Sequence, residues 1–390
     1  MVIHFPSQWD TVASITSKIK EIVRMSRPLR ILEVVQSLEK GGRTKRFSDT
    51  VSELRNQGLC VIPLCFSKPS LWVSITDLKI IKKKNGLNLH LVLQIRKFIK
   101  ENNINLIHAH CEFSQLYSSI AGFSCGVKTV ATFHRSDLAK YQPSLVNALI
   151  KFFVSQYIAV SHDRLTLLTK NLKLPTKKCH VVHGGSVIEK KPTEKTIAAA
   201  RSELKIPMKQ LMLLSIGHLG EIKGHQDTLT ALAKVFKLSS QNIHLYIAGD
   251  GSNNEKKKLT ALVEHLKIKE NVTFLGQVSN VFKWLEACDI FIQPSIEEAF
   301  GLVFVEAGAK AKPVIATSVG GIKEIIVTNQ TGLLVSPAAP QELEKSIELL
   351  INSKQLRTQF GDNGYKRMAE NFSLTNMANK YTEIFHNTIN

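Results

Sequence analysis

The chain has 390 residues, 44% of them hydrophobic and 21% charged, a balance that excludes a disordered chain and suits two domains of roughly 150–200 residues each. No apolar run approaches the ~20 residues that cross a bilayer, and the first ten residues lack the charged and apolar regions of a signal peptide, so neither is expected. The net charge of +19 is uneven: residues 1–185 hold 27 Lys and Arg against 11 Asp and Glu, and residues 186–390 hold 24 against 21. A positive field on one half points to an anionic partner there (phosphate-bearing lipid, a membrane face or nucleic acid), with a merely solvated basic surface as the alternative.

Residues 9–26 read as an amphipathic helix, because Trp9, Val12, Ile15, Ile19 and Ile22 recur at spacings of three and four. Such a helix packs on its own protein or lies on a membrane surface, and contact through residues 1–27 is one expectation. From Arg30 onward, short apolar runs alternate with helical stretches. The runs are 31–36, 60–66, 104–110, 129–134, 157–161 and 180–185, then, after a polar stretch at 190–195, 211–217, 243–250, 272–276, 289–295, 313–320 and 332–336. Most are continuously apolar, as in a parallel sheet covered by helices on both faces, and the intervals suffice for crossover helices. The reading is therefore α/β, with two doubly wound, Rossmann-like parallel-sheet lobes and a cleft between them. The expected divisions are a helical extension at 1–28, a first lobe at 29–187, a linker at 188–209, a second lobe at 210–365 and a terminal helix at 366–390.

Six cysteines without a C-x-x-C pair suggest buried thiols in a reducing, cytoplasmic setting rather than a disulfide framework or structural zinc. Glycines follow several predicted strands: Gly41-Gly42, Gly184-Gly185, Gly217, Gly249-Asp250-Gly251 and Gly320-Gly321. Glycine lets backbone amides approach a phosphate, and the next helix N-terminus adds partial positive charge. None forms the G-x-G-x-x-G of dinucleotide enzymes, which argues against NAD or FAD. No RNA-recognition or helix-turn-helix signature accompanies the basic charge, so nucleic acid is not expected as a partner.

The most informative segment runs from Pro294 to Ala307. It leaves an apolar strand, turns through proline and glycine, and enters an apolar helix near Gly301, placing Glu298 on the loop and Glu306 about two turns into the helix. That separation does not suit a glycosidase pair. It suits one acid touching sugar hydroxyls and another accepting hydrogen bonds from a vicinal diol.

Glu298 and Glu306 in the frame E-A-F-G-L-V-F-V-E-A resemble the signature of family-4 retaining glycosyltransferases of the GT-B fold. Segment 216–224 (I-G-H-L-G-E-I-K-G) is similar to that family's G-R-L-x-x-x-K-G, and Ile247–Gly251, Phe274–Gly276 and Val319–Glu324 fall in family order. In the first half, Gly41-Gly42, His108-Ala109-His110, Thr132-Phe133-His134 and Ala159-Val160-Ser161 resemble the family's acceptor-domain landmarks. The resemblance implies that Glu306 holds the ribose hydroxyls and Glu298 those of the donor sugar. Phe300, Gly301 and Leu302 would present backbone to sugar and phosphate. Lys223, with the Gly42 amide and the Gly249 loop, would face the diphosphate, and His134 would lie by the transferred sugar. The terminal helix would return to the first lobe. No metal or other cofactor is expected, since cations and amides would stabilise the leaving diphosphate.

The chain departs from that pattern in three places. His218 stands where the family has Arg, and a bound diphosphate is expected to hold it protonated. His183-Gly184-Gly185-Ser186 and Lys310-Ala311-Lys312-Pro313 also differ, which bears on acceptor and sugar preference. The expected activity is transfer of a hexose from a nucleotide-sugar donor to an anionic saccharide or lipid-linked acceptor, in lipopolysaccharide or surface polysaccharide synthesis at the inner membrane face. The alternatives are a nucleotide-sugar epimerase of related fold and a non-catalytic nucleotide-sugar-binding protein.

Overall fold

The computed structural model describes residues 28–39, 41–70, 75–84, 86, 88–135 and 142–390; the helix expected at 9–26 lies outside them. The first sheet contains β1 (Arg30–Val35), β2 (Cys60–Cys65), β3 (Lys79–Ile80), β4 (Leu106–Ala109), β5 (Lys128–Phe133), β6 (Gln156–Ala159) and β7 (Cys179–Val181). Its helices are α1 (Gly42–Asn56), α2 (Leu89–Glu101), α3 (Glu112–Phe123), α4 (Leu145–Phe153) and α5 (His162–Lys170). After α6 (Glu194–Glu203), the second sheet contains β8 (Leu211–Ile216), β9 (Ile243–Ala248), β10 (Val272–Gly276), β11 (Ile290–Gln293), β12 (Val314–Thr317) and β13 (Gly332–Val335). Its helices are α7 (His225–Leu238), α8 (Asn253–His265), α9 (Val281–Ala287), α10 (Leu302–Ala309), α11 (Ile322–Ile325), α12 (Pro340–Asn352) and α13 (Lys354–Asn371), and α14 (Leu374–Ile389) closes the chain.

Strand order is β3-β2-β1-β4-β5-β6-β7 in one sheet and β10-β9-β8-β11-β12-β13 in the other, with every pairing parallel. Alternation along the strands fills both faces: Leu213 enters one core cluster, while Met212 and Leu214 enter another on the opposite face. Each apolar run of the sequence thus becomes a strand, buried on both sides in the sheet interiors and half-buried at the edge strands β7 and β10. The first sheet has a seventh strand the runs did not indicate, because β3 is only two exposed residues pairing with Leu64 and Cys65 at the sheet edge. Among the described residues no helix is long and apolar enough to cross a membrane, and all six cysteines are free thiols.

The segment 188–209, read above as a linker, contains α6. A Thr193 capping box starts this helix. Buried Arg201 then ties it to the second lobe, donating to the Ala287 and Gln210 carbonyls and pairing with Asp289 at 2.5 Å. The chain passes between lobes twice, side by side: the Ser186 amide donates to Phe372 and the Leu374 amide to Ser186. Beyond that crossing, α14 lies on α1 and β5 of the first lobe. Its Met377, Ala378, Tyr381 and Phe385 are buried there with Ile31, Val35 and Phe47.

Candidate active site

In each sheet the strand order reverses next to the first strand of the lobe, so the loops leaving β1 and β4, and β8 and β11, diverge and open a crevice. These carboxyl edges face each other across a cleft of about 900 Å³, a size that accommodates a nucleotide-sized ligand. Its lining includes Gly42 and His134 from the first lobe and His218, Lys223, Gly249, Glu298, Phe300, Gly301, Leu302 and Glu306 from the second. Fold topology alone brings these ten residues together from loops more than 250 positions apart.

Local glycine geometry shapes the second-lobe wall. Gly224 has φ +69°, and a Cβ there would stand 2.0 Å from the Pro294 carbonyl; at Gly249 (φ +147°) it would stand 1.7 Å from that of Gly217. Side chains at either position would force apart the loops after β8, β9 and β11. The tight turn at Glu221–Lys223 is fixed by Gln293, whose side-chain amide donates to the Lys223 carbonyl while its oxygen accepts from Ser215. Lys223 Nζ reaches Glu298 Oε2 at 2.5 Å. The remaining glycine pair has a different role from a phosphate loop. Gly320 and Gly321 pack behind the acidic loop, where a Cβ would lie 1.8 Å from the Glu298 carbonyl and 2.7 Å from that of Ala299.

First-lobe residues grip the same loop. Ser161 donates to the Ala299 carbonyl at 2.7 Å, and buried Arg164 donates to the Glu298 carbonyl at 3.2 Å. Gly184 abuts Leu302, and His183 stacks on Phe300 with ring centroids 5.4 Å apart. Glu306, 6% exposed on α10, faces Lys45 of α1 across the cleft at 3.8 Å. Burial pushes its carboxyl up to about 7; Lys45 opposes that shift and Asp49 adds to it. A solvated helix position is thereby excluded for this residue.

Sequence reasoning missed Arg43, Lys45 and Arg46, which also line the cleft. Their signal was a cluster of bases within one turn of the Gly41-Gly42 pair. Residues 277–282, the loop after β10 and the start of α9, line it as well, directly after the Phe274–Gly276 segment. His218 is 63% exposed, and its Nδ1 accepts from the Gly220 amide. Lys310 and Lys312 do not enter the cleft. Lys310 pairs with Glu189 and Glu286, and Lys312 donates to the Glu286 carbonyl, so their departures from the family pattern serve packing of the second lobe.

Two described groups bring three ligand atoms within 4.8 Å of one another: Glu33, His108 and His110, and His162, His183 and Glu324. In the first, each carboxylate oxygen already bonds a histidine. In the second, Glu324 accepts from the His162 and Asp163 amides and contacts His183 at 2.7 Å. Neither group contributes to the cleft lining.

Two parallel-sheet lobes with loop edges opposed across such a cleft define the GT-B fold. HepE of Anabaena, solved in complex with UDP, superposes with a TM-score of 0.81 over 91% of this chain and 99% of its own, at 22% identity. The description "Glycosyl transferases group 1" matches residues 196–367 and "Glycosyltransferase Family 4" matches residues 49–189; the chain belongs to the group 1, family-4 glycosyltransferases. N-acetyl-alpha-D-glucosaminyl L-malate synthase of Bacillus anthracis is 27% identical over 77% of this chain and 80% of its own length. The lipopolysaccharide core glycosyltransferase LpsE of Rhizobium meliloti is 26% identical over 49% of this chain and 46% of its own.

Proposed function

We propose that this glycosyltransferase moves a hexose from a nucleoside-diphosphate sugar to an anionic saccharide or lipid-linked acceptor, with retention and without a metal ion. The observation that carries the reading is the Lys223–Glu298 pair, set in an open interlobe cleft at the end of a strand-anchored turn. A diphosphate entering there competes for Lys223 and frees Glu298 to accept hydrogen bonds from the donor sugar's hydroxyls. Buried Glu306 suits the ribose diol, because two hydroxyl donors favour the carboxylate that burial disfavours. The amides of Gly42 and Gly301 then serve the phosphates, while that of Gly249 donates to the Gly276 carbonyl and holds the cleft wall in shape.

When the anomeric C–O bond breaks, its electron pair passes to the leaving phosphate. Lys223, Arg43 and the α1 N-terminus supply preorganised positive charge in place of a metal. The acceptor oxygen attacks from the same face and its proton goes to the departing phosphate, so no covalent enzyme intermediate is needed. The basic first lobe suits a phosphate- or carboxylate-bearing acceptor, and LpsE supports a role in lipopolysaccharide or surface polysaccharide synthesis at the inner membrane face. Residues 1–27 are the proposed membrane contact, testable by sedimentation with anionic liposomes before and after their deletion.

The test is a thermal-shift panel of UDP-, GDP- and ADP-sugars followed by slow donor hydrolysis. One donor raises the melting temperature by mass action. Its hydrolysis falls by about 10²–10³-fold in Lys223→Ala, also falls in Glu298→Ala, and is insensitive to EDTA. Production of an epimeric nucleotide sugar, or tight binding without turnover on any acceptor extract, contradicts the reading.

A further inference from the structure

Behind His134 the first lobe holds an unbroken line of hydrogen-bonded polar side chains. Parallel register sets Glu33 beside His108, and the period-two pleat sends Glu33, His108, His110, Thr132 and His134 to the same sheet face as Ile31, Leu106 and Val130. His134 Nε2 meets His110 Nδ1 at 2.8 Å, and His110 Nε2 meets Glu33 Oε2 at 2.6 Å. Glu33 Oε1 meets His108 Nδ1 at 2.8 Å, and His108 Nε2 meets Thr132 Oγ1 at 2.7 Å. Glu33 and His108 are fully buried and His110 is 1% exposed. Tyr381 and Phe385 of α14 cover His108, and Phe47 of α1 lies edge-on to His110.

Counting protons orders this line. A carboxylate only accepts, so His110 donates through Nε2 and, as a neutral imidazole, has a bare lone pair at Nδ1. The 2.8 Å contact then requires His134 to donate through Nε2, which leaves the lone pair of His134 Nδ1 as the end of the line. His134 is partly open and lines the cleft. We propose that Glu33 and His110 are positioning residues that lock His134 as a neutral Nε2–H tautomer, so that it offers the cleft an acceptor for a substrate hydroxyl rather than a cation.

The surroundings support the neutral form. Burial first, then His110, Arg46, His108 and Arg43, hold the His134 imidazolium well below its ordinary range. His110 is lowered to about 4, by burial and by His108 and Arg46 against the pull of Glu33. Burial raises Glu33, but the two imidazoles outweigh it and bring the carboxyl down to about 2. Across the cleft stand Lys223 and Glu298, already paired. A neutral acceptor also fits glycosyl transfer, because positive charge develops at the anomeric carbon and an imidazolium beside it would oppose bond breaking.

The proposal rests on the transferase reading only for the identity of the hydroxyl. Its decisive readout is the ¹⁵N spectrum of histidine-labelled full-length protein, which reports tautomer and charge without turnover. Wild type is expected to show His134 as Nε2–H and uncharged from pH 5.5 to 8. In His110→Phe the lock is lost: His134 shows the Nδ1–H tautomer or a mixture of the two, and kcat falls about tenfold or more, the loss of one oriented hydrogen bond. Thr132→Val, at the far end of the line, lowers stability but leaves the His134 signal unchanged. An Nδ1–H tautomer in wild type, a wild-type His134 that titrates near 6.5, or a folded His110→Phe with unaltered His134 resonances and kcat overturns the proposal.

Discussion

Replacing Glu306 by glutamine sets stability against function at one buried position. In the fold the carboxyl is pushed from 4.5 to about 7. Between those values the folded chain keeps a proton that the unfolded chain releases, so wild-type stability falls as pH rises through this window and levels off above it. At about 1.4 kcal/mol per pH unit, the cost is about 3 kcal/mol by pH 8 and about 1 kcal/mol at pH 5. Glutamine has the same shape and no charge, so Glu306→Gln is expected to be the more stable protein, increasingly so with pH. Urea denaturation of both proteins at pH 5, 6, 7 and 8, each transition checked for a single step, measures the difference. Titration of nucleotide-sugar donor gives the other half. Wild-type affinity rises toward pH 7 and then levels, as binding of the diol demands the ionised form, while the variant binds more weakly at every pH. A stability difference that does not change with pH, or a variant less stable at pH 8, refutes the reasoning. Either result would mean that Glu306 is ionised and compensated in the free protein by Lys45.

Two further substitutions probe lobe contacts and backbone. Gly184→Ala places a methyl 2.5 Å from Leu302 Cδ2 and 3.0 Å from Phe300; overpacking of about 1–3 kcal/mol at this seam is expected to lower kcat/KM about tenfold with the fold intact. Adding Leu302→Ala should recover activity relative to Gly184→Ala alone, and strictly additive losses in the double-mutant cycle would contradict this. Ala311 has φ +54°, a left-handed conformation that costs an alanine about 1–2 kcal/mol. After allowance for the greater freedom of glycine in the unfolded chain, Ala311→Gly should raise unfolding free energy by about 0.5–1 kcal/mol, and a loss of stability would show that the position is unstrained.

Much of this architecture was legible because buried parallel strands must be apolar on both faces: each apolar run between residues 31 and 336 is a strand. Strand β3 escaped notice since two edge residues carry no pattern, and α6 because its apolar face is short and its anchor is an arginine reaching distant carbonyls. At the site, local pattern identified the glycine turns and the two acids. It could not reveal Lys45 opposite Glu306 or Arg164 on the Glu298 loop, since those pairs form only when the lobes meet. Glu33 did carry a local signal, an acid inside the apolar run 31–36, but its partners lie more than 70 residues away.

The most direct measurement is a crystal structure of the protein with an unhydrolysed nucleoside-diphosphate sugar. The account predicts the diphosphate between the lobes within hydrogen-bond reach of Lys223 Nζ, the 2.5 Å pair with Glu298 opened, and Glu298 and Glu306 on the hexose and ribose hydroxyls respectively. A donor bound elsewhere, or one lying in the cleft while Lys223 still holds Glu298, would contradict it.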